Sequence, residues 1–269
     1  MRVLRLSEPQ LEWICERLPA PSRSPLGGRP PSDIRKIVAG IFWILDNGAK
    51  WKDLPAEFGS KSTVHRWFRN WVQAGAFETL MRHAGRCVEE RGGYRLYECF
   101  IDGTFSKAKG GGDGIGLTKV GKGVKIMILV DARGLPVAVS TAPANRHESR
   151  CVQELFDFML PLEPLDKVVG DMAYDSDRLD AEMAAKGIEL ISPHRRNRLP
   201  ENKTQDGRPL RRYARRWTVE RSISWLQNFR RLCIRWERSN ALFEGFLHLT
   251  CTLLAAWPTM EAAKRSRSQ

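Results

Sequence analysis

Apolar residues recur at helical spacing through the first third of the chain. Leu11, Ile14, Cys15 and Leu18 share one face behind Ser7, with Gln10 placed to complete a capping box. Ile34, Ile37, Val38, Ile41, Phe42 and Leu45 follow i, i+3, i+4, i+7, i+8 and i+11 behind Ser32 and Asp33, and the pattern stops at Asn47-Gly48. A linker rich in Pro and Ser, 19–31, separates these two helices. A third helix is predicted over 60–77, where Val64, Trp67, Phe68, Trp71 and Val72 form the buried face. Lys61, His65, Arg66, Arg69 and Asn70 form the exposed one, which bears no acid.

From about Gly92 the period falls to two. Alternation rich in aromatic and branched residues predicts a strand over 94–101, the run 125–131 a buried strand, and 136–141 a third strand across the turn Ala132-Arg133-Gly134. An amphipathic helix (148–160), a short strand (167–170), a second helix (176–186) and another strand (188–191) follow. After a basic polar loop, 197–209, two long helices over 211–238 and 240–263 close the chain, with Pro258 bending or ending the last. The order βββαβαβ predicts an α/β fold, a mixed sheet flanked by helices. Two domains are expected, a helical one over 1–92 and a sheet-containing one over 93–269.

Composition narrows the class. With 42% hydrophobic and 28% charged residues the chain is globular rather than disordered. The six cysteines include no CxxC pair, so neither a zinc knuckle nor a disulfide framework is expected, and they read as reduced thiols of a cytosolic protein. Arg2, Arg5, Glu8 and Glu12 interrupt any signal-like apolar run. The longest apolar stretch, 241–257, carries Glu244 and His248 and is short for a bilayer, so no membrane span is expected.

Charge adds a partner. The 269 residues carry 44 Lys and Arg against 31 Asp and Glu, a formal +13. Fourteen Arg or Lys against four acids between 195 and 238 account for a net +10 of it. A glycine-rich segment, 106–125, adds Lys107, Lys109, Lys119, Lys122 and Lys125 and reads as a mobile, phosphate-seeking loop. Such an excess points to nucleic acid or another polyanion. The basic, amide-bearing face of the third helix fits a helix-turn-helix reader, with Arg and Asn on base edges and Lys on phosphates. An ordinary three-helix bundle with a basic polar face fits it equally well.

Three acids stand where chemistry could be built. Asp102 follows the apolar strand ending Phe100-Ile101, and Asp171 follows Val168-Val169-Gly170 in the same manner. Each alone reads as a turn residue or helix cap, but together they can converge at one sheet edge. On the predicted helix over 211–238, Val219, Ile223, Trp225, Leu226, Phe229, Leu232, Cys233 and Trp236 fill an arc of about 180° at 100° per residue. Glu220 falls outside that arc beside Arg216, Gln227 and Arg231, either in i, i+4 salt bridges or as the third carboxylate of a metal site. Oxygen-only ligands suit Mg²⁺ or Mn²⁺, and two such ions about 4 Å apart activate a nucleophile and stabilise a leaving oxygen in phosphodiester cleavage.

Ile101-Asp102-Gly103-Thr104, Gly170-Asp171-Met172-Ala173-Tyr174-Asp175-Ser176 and Trp217-Thr218-Val219-Glu220-Arg221-Ser222, followed by Trp225-Leu226 and Phe229-Arg230-Arg231-Leu232, resemble the three catalytic blocks of the insertion-sequence five family of DDE transposases. Tyr213, Arg216 and Glu220 match its Tyr-x2-Arg-x3-Glu signature, and the likeness runs over nearly the whole chain as far as about Arg238. Two positions depart from it: Gln227 stands where the signature has Lys or Arg, leaving a phosphate contact to Arg230 or Arg231, and Met172 replaces a residue that is often basic. The resemblance implies a ribonuclease H-like core in which Asp102, Asp171 and Glu220 hold two Mg²⁺ or Mn²⁺ ions. It also implies that water cleaves the ends of a transposon, that the freed 3′-hydroxyl attacks target DNA, and that a homodimer brings two ends of double-stranded DNA together. Lys61, Arg66, Arg69, Asn70, Lys107, Lys109, Lys122, Tyr213, Arg216, Arg230 and Arg231 are the expected DNA contacts, and the protein is expected in the cytoplasm, on the nucleoid.

Two rivals compete with this reading. Gly116 to Gly123 nearly matches a phosphate-binding P-loop, but Gly123 supplies no hydroxyl and a strand follows where a helix should begin. A DNA-binding regulator without catalysis would share the basic surface. His147 reads as a polar helix-start residue or as a neighbour of the metals. Trp217, outside the apolar arc, is free to stack on a displaced base, whereas Trp225 reads as core.

Overall fold

The computed structural model describes residues 6–20, 32–157, 159–160, 164–199, 201, 203 and 207–266, with side chains as far as 256. Most of the expected linker, 21–31, and part of the loop 197–209 lie outside the described residues.

The helical pattern of the first ninety residues becomes four helices: α1 (Glu8–Arg17), α2 (Ile34–Asn47), α3 (Lys61–Gln73) and α4 (Ala76–Glu89). Ser7 and Gln10 close the capping box, and the Asp33 carboxylate accepts from the Arg35 backbone N–H at 2.9 Å to cap α2. Two 3₁₀ turns, Trp51–Asp53 and Ala56–Phe58, join α2 to α3. The α4 helix has no counterpart among the expected elements; Phe77, Leu80, Met81, Ala84 and Val88 form its buried face.

The sheet is built from β1 (Cys99–Ala108), β2 (Gly116–Thr118), β3 (Gly121–Val130), β4 (Pro136–Pro143), β5 (Lys167–Val169), β6 (Glu189–Ile191) and β7 (Ile234–Arg235). Antiparallel β4, β3 and β1 are followed by parallel β5 and β6, and β2 adds to β3. This is the mixed α/β architecture that the period change predicts. The first strand, however, starts five residues late and runs through Gly103 to Ala108, because it pairs with β3 from Phe100↔Val130 to Lys107↔Gly123. The glycine-rich segment is accordingly not a free loop. Its ends are strand, and Lys109 and Asp113 donate their backbone N–H groups to the carbonyls of Arg235 and Arg238 at 2.9 and 3.0 Å. The near P-loop is the β2–β3 hairpin, with no helix following it.

After β4, a 3₁₀ turn (Glu148–Arg150) and a short α5 (Val152–Phe156) replace the longer helix expected there, and α6 (Asp177–Ala184) follows β5. The predicted helix over 211–238 is broken. Preceded by α7 (Gly207–Leu210), which overlaps the expected loop, it becomes a 3₁₀ stretch (Arg211–Arg215), α8 (Trp217–Gln227), α9 (Arg230–Cys233) and β7, which pairs with Lys107 and Ala108 of β1. Phe229 is extended between α8 and α9, with φ −86° and ψ 99°. Sheet pairing and the burial of Phe229 and Leu232 thus override local helix preference.

The last helix, α10 (Asn240–Ser266), is not ended by Pro258, whose missing N–H removes one bond from a ladder of many. It packs against α4, α3 and β4, and Phe246 stacks on Phe68 with ring centroids 4.3 Å apart. Each such buried aromatic contributes roughly 1.5–3 kcal/mol. One continuous apolar cluster therefore joins the N-terminal helices to the sheet. All six cysteines are free thiols, and among the described residues no helix is long and apolar enough to cross a membrane.

Candidate active site

The sheet brings Asp102 and Asp171 together by register. The parallel pair Phe100↔Val169 is the last between β1 and β5, and each Asp lies two residues beyond it on its own chain segment. On that edge β7 takes over only at Lys107, so residues 101–106 of β1 border a notch between β5 and β7. Asp102 Oδ1 accepts from the Gly103 N–H at 2.8 Å, and Asp171 Oδ1 from the Ala173 N–H at 2.8 Å. Asp171 thereby caps a 3₁₀ turn, Met172–Tyr174, so the cap reading of this residue is realised while its second oxygen remains available.

Arg216 reaches into the notch from just before α8. Its guanidinium donates to Asp102 Oδ2 at 2.9 Å and to Glu220 Oε1 at 2.7 Å, linking the sheet carboxylate to the one on α8. Glu220 itself is exposed, with 55% of its side chain open to solvent. Gln227 donates to Thr104 Oγ1 at 2.9 Å and so reaches the same strand from the end of α8.

Among the described residues, the acids whose ligand atoms lie within 4.8 Å of one another are Asp102, Asp171 and Glu148. Glu148 opens the 3₁₀ turn after β4 and pairs with Lys125 at 3.0 Å. The sequence presents it only as a first-turn acid facing a helix dipole, and the adjoining His147 draws more notice. His147 takes the helix-start role: its Nδ1 accepts from the Ser149 N–H at 3.3 Å. Burial, together with Arg195 and Lys125, lowers its pKa.

Burial pushes the Asp102 pKa up, against the opposing pull of Arg216. The folded chain then holds this proton more tightly than the unfolded chain does. Ionising Asp102 therefore costs stability as pH rises from the ordinary carboxylate range through the raised value. A divalent cation bound here is expected to restore that loss, by about 2.7 kcal/mol at one hundred times its Kd. Thermal melts at pH 7 with and without millimolar Mn²⁺ check this: Tm should rise at pH 7, and the rise should vanish near pH 4, about where carboxylates protonate.

The basic residues divide into two sets. Lys61, Arg66, Arg69 and Asn70 lie exposed on one face of α3, while Lys107, Lys109, Lys122 and Arg230 are also exposed. Tyr213 is half-buried, with the Arg216 guanidinium 5.7 Å from its ring centroid. Arg231 differs: it is 2% exposed, donates from Nε to Glu237 Oε1 at 2.8 Å and also bonds the Ala49 carbonyl, so it holds the fold and is not free for DNA. Much of the local excess charge is likewise engaged, since Arg212 and Arg215 both donate to the fully buried Glu98 at 2.8 and 2.7 Å. Trp217 is exposed as expected, and Arg221 lies 4.8 Å from the ring centroids of both Trp217 and the half-buried Trp225.

The family model "Transposase DDE domain" matches residues 95–255, and "Putative transposase of IS4/5 family" matches residues 6–81. A "Putative transposase for insertion sequence element IS402" from Burkholderia cepacia is 36% identical over 152 residues, 54% of this chain and 67% of that one. A counterpart for IS6501 from Brucella ovis is 29% identical over 133 residues, 48% of this chain and 95% of that one. Among solved structures, the piggyBac transposase in its synaptic complex with hairpin DNA superposes with a TM-score of 0.57 at 11% identity, over 96% of this chain and 73% of that one. That likeness concerns the fold alone.

Proposed function

The chain belongs to the DDE transposase family, and from that premise we propose that Asp102, Asp171 and Glu220 are its catalytic, metal-binding carboxylates. It is a DNA transposase, a metal-dependent enzyme that cuts DNA and transfers strands. The observation that carries the assignment is the side-by-side placement of Asp102 and Asp171, tied through Arg216 to Glu220.

Asp102, Asp171 and Glu220 would hold two divalent ions, Mg²⁺ or Mn²⁺, which when bound would supply Lewis-acid activation of the attacking oxygen and stabilisation of the leaving one. In the cleavage step a water oxygen bonds to phosphorus as the P–O3′ bond breaks, the water loses a proton to solvent, and the leaving oxygen becomes a 3′-hydroxyl on protonation. In the joining step that hydroxyl loses its proton and attacks a target phosphorus, from which another 3′-oxygen departs. Arg216 holds Asp102 and Glu220 before metal and DNA arrive, and offsets the repulsion between these acids and a phosphate backbone.

The helical region 1–92 reads the transposon's terminal inverted repeats through Lys61, Arg66, Arg69 and Asn70 on α3, and the region 93–269 cuts. Lys107, Lys109, Lys122, Tyr213, Arg216 and Arg230 contact phosphates along the path to the carboxylates. A homodimer would bring the two ends together, in the cytoplasm on the nucleoid. Changing Lys61, Arg66 and Arg69 together to Ala is expected to lower affinity for the repeats. It should also flatten the dependence of log affinity on log salt by about 0.9 for each phosphate that the protein no longer neutralises. Filter binding across a salt series measures both effects.

The test of function is a plasmid carrying the element's own ends, incubated with the protein and Mg²⁺ or Mn²⁺. Metal-dependent breaks at those ends are expected. Tight binding with no cleavage under any divalent metal would favour the non-catalytic regulator.

A further inference from the structure

Glu148 approaches Asp102 and Asp171 more closely than its place in the sequence suggests, and two features of the fold make room for it. A Cβ on Gly103 would stand 3.3 Å from the Glu148 carboxylate and 3.1 Å from Met127 Sδ, so the side chain that glycine lacks would press on the acid. A Cβ on Gly170 would stand 2.6 Å from the Tyr174 ring, which is wholly buried beneath the site.

The Tyr174 hydroxyl points to a missing ligand. Its oxygen is buried with no partner that meets strict hydrogen-bond geometry, and Glu148 is the acid that it approaches. Glu148, Asp102 and Asp171 are the acids close enough to act on this hydroxyl, which places it against the cluster. Lys125 Nζ, 3.0 Å from Glu148 Oε1 and 3.0 Å from the Arg146 carbonyl, holds the carboxylate in place.

We propose that Glu148 is a further metal ligand of this centre, forming with Asp102 and Asp171 a site for one divalent cation that does not require Glu220. The inference rests on the reading of Asp102 and Asp171 as metal ligands. Glu220, exposed and tied to Arg216, completes the centre separately. Lys125 competes with the cation for Glu148 and keeps the acid placed until the cation binds.

The experiment is a Mn²⁺ titration of the full chain without DNA, reading free Mn²⁺ by electron paramagnetic resonance, with melting curves to confirm folding. Glu148→Gln is expected to weaken binding of the first Mn²⁺ ion at least tenfold, Asp102→Asn and Asp171→Asn to abolish it, and Glu220→Gln to weaken only a second ion while changing the first less than threefold. Lys125→Met should tighten binding several-fold, and that gain should vanish when Glu148→Gln is also present. Wild-type affinity in Glu148→Gln with binding lost in Asp102→Asn would overturn the role of Glu148 and leave the wider reading standing. So would a Lys125→Met gain that persists without Glu148. A tenfold loss of the first ion in Glu220→Gln would overturn the independence of the site. Unchanged binding in both Asp variants would overturn the metal centre itself.

Discussion

Asp102→Asn is expected to lower cleavage of DNA bearing the element's ends at least about a thousandfold while leaving DNA affinity within a few-fold of wild type. Asparagine keeps the size of the side chain and the hydrogen bond from Gly103, but it removes the charge that draws a cation into the notch. Metal stabilisation of developing oxyanions supplies several kcal/mol, and each 1.36 kcal/mol corresponds to about tenfold in rate. Apart from Arg216, the proposed DNA contacts are on α3 and on other residues that make no hydrogen bond to Asp102, so binding and cleavage should separate. Single-turnover nicking and a gel-shift titration on the same preparation check both halves. A variant that cuts within tenfold of wild type would remove Asp102 from the mechanism.

The second large effect concerns stability. Arg231→Ala is expected to destabilise the fold by roughly 3–5 kcal/mol, as breaking one side of a buried ion pair does. Arg231 and Glu237 are 2% and 3% exposed, and the arginine also satisfies the Ala49 carbonyl, where α2 gives way to the following turn. Truncation strands a buried carboxylate that already has one oxygen without a partner. The pair Arg231→Met with Glu237→Leu should lose much less, since no charge is left behind. Urea unfolding of the three proteins measures this. Equal midpoints for the wild type and Arg231→Ala would return Arg231 to the DNA surface that the sequence pattern suggests for it.

That reversal shows where sequence reading stops working. A helical wheel carried from Val219 to Trp236 places Arg231 outside the apolar arc beside Glu220. The helix ends at Gln227, and beyond Asn228 the wheel no longer describes the chain. Nothing local announces the break. It depends on β7 finding the open edge of β1, more than a hundred residues earlier in the chain, and on Phe229 and Leu232 finding the core.

The late start of β1 has the same kind of cause. Residues 94–98 alternate well enough to be strand, yet pairing with β3 begins only near Phe100 and carries the strand past Gly103. Asp102 is therefore inside a strand, and its freedom to meet Asp171 comes from the gap between β5 and β7.

The two aspartates stand out as candidates in the sequence because an apolar run followed by an acid is a local pattern, and Glu220 does so because Tyr213 and Arg216 precede it at fixed spacing. The helical first third, the mixed sheet and the basic character were equally legible, since periodicity and composition are properties of neighbouring residues. Glu148 was not. It lies 46 residues from Asp102 and 23 from Asp171, in a 3₁₀ turn that only the packing of β4 against β3 carries to the notch. Which arginines face solvent and which are spent on Glu98, Asp102 and Glu237 was likewise settled by folding. Local order along the chain dictates what each segment tends to become and which chemistry it carries. Bringing distant carboxylates and their counter-ions within hydrogen-bonding reach depends on long-range strand register and core burial, which no stretch of neighbouring residues encodes alone.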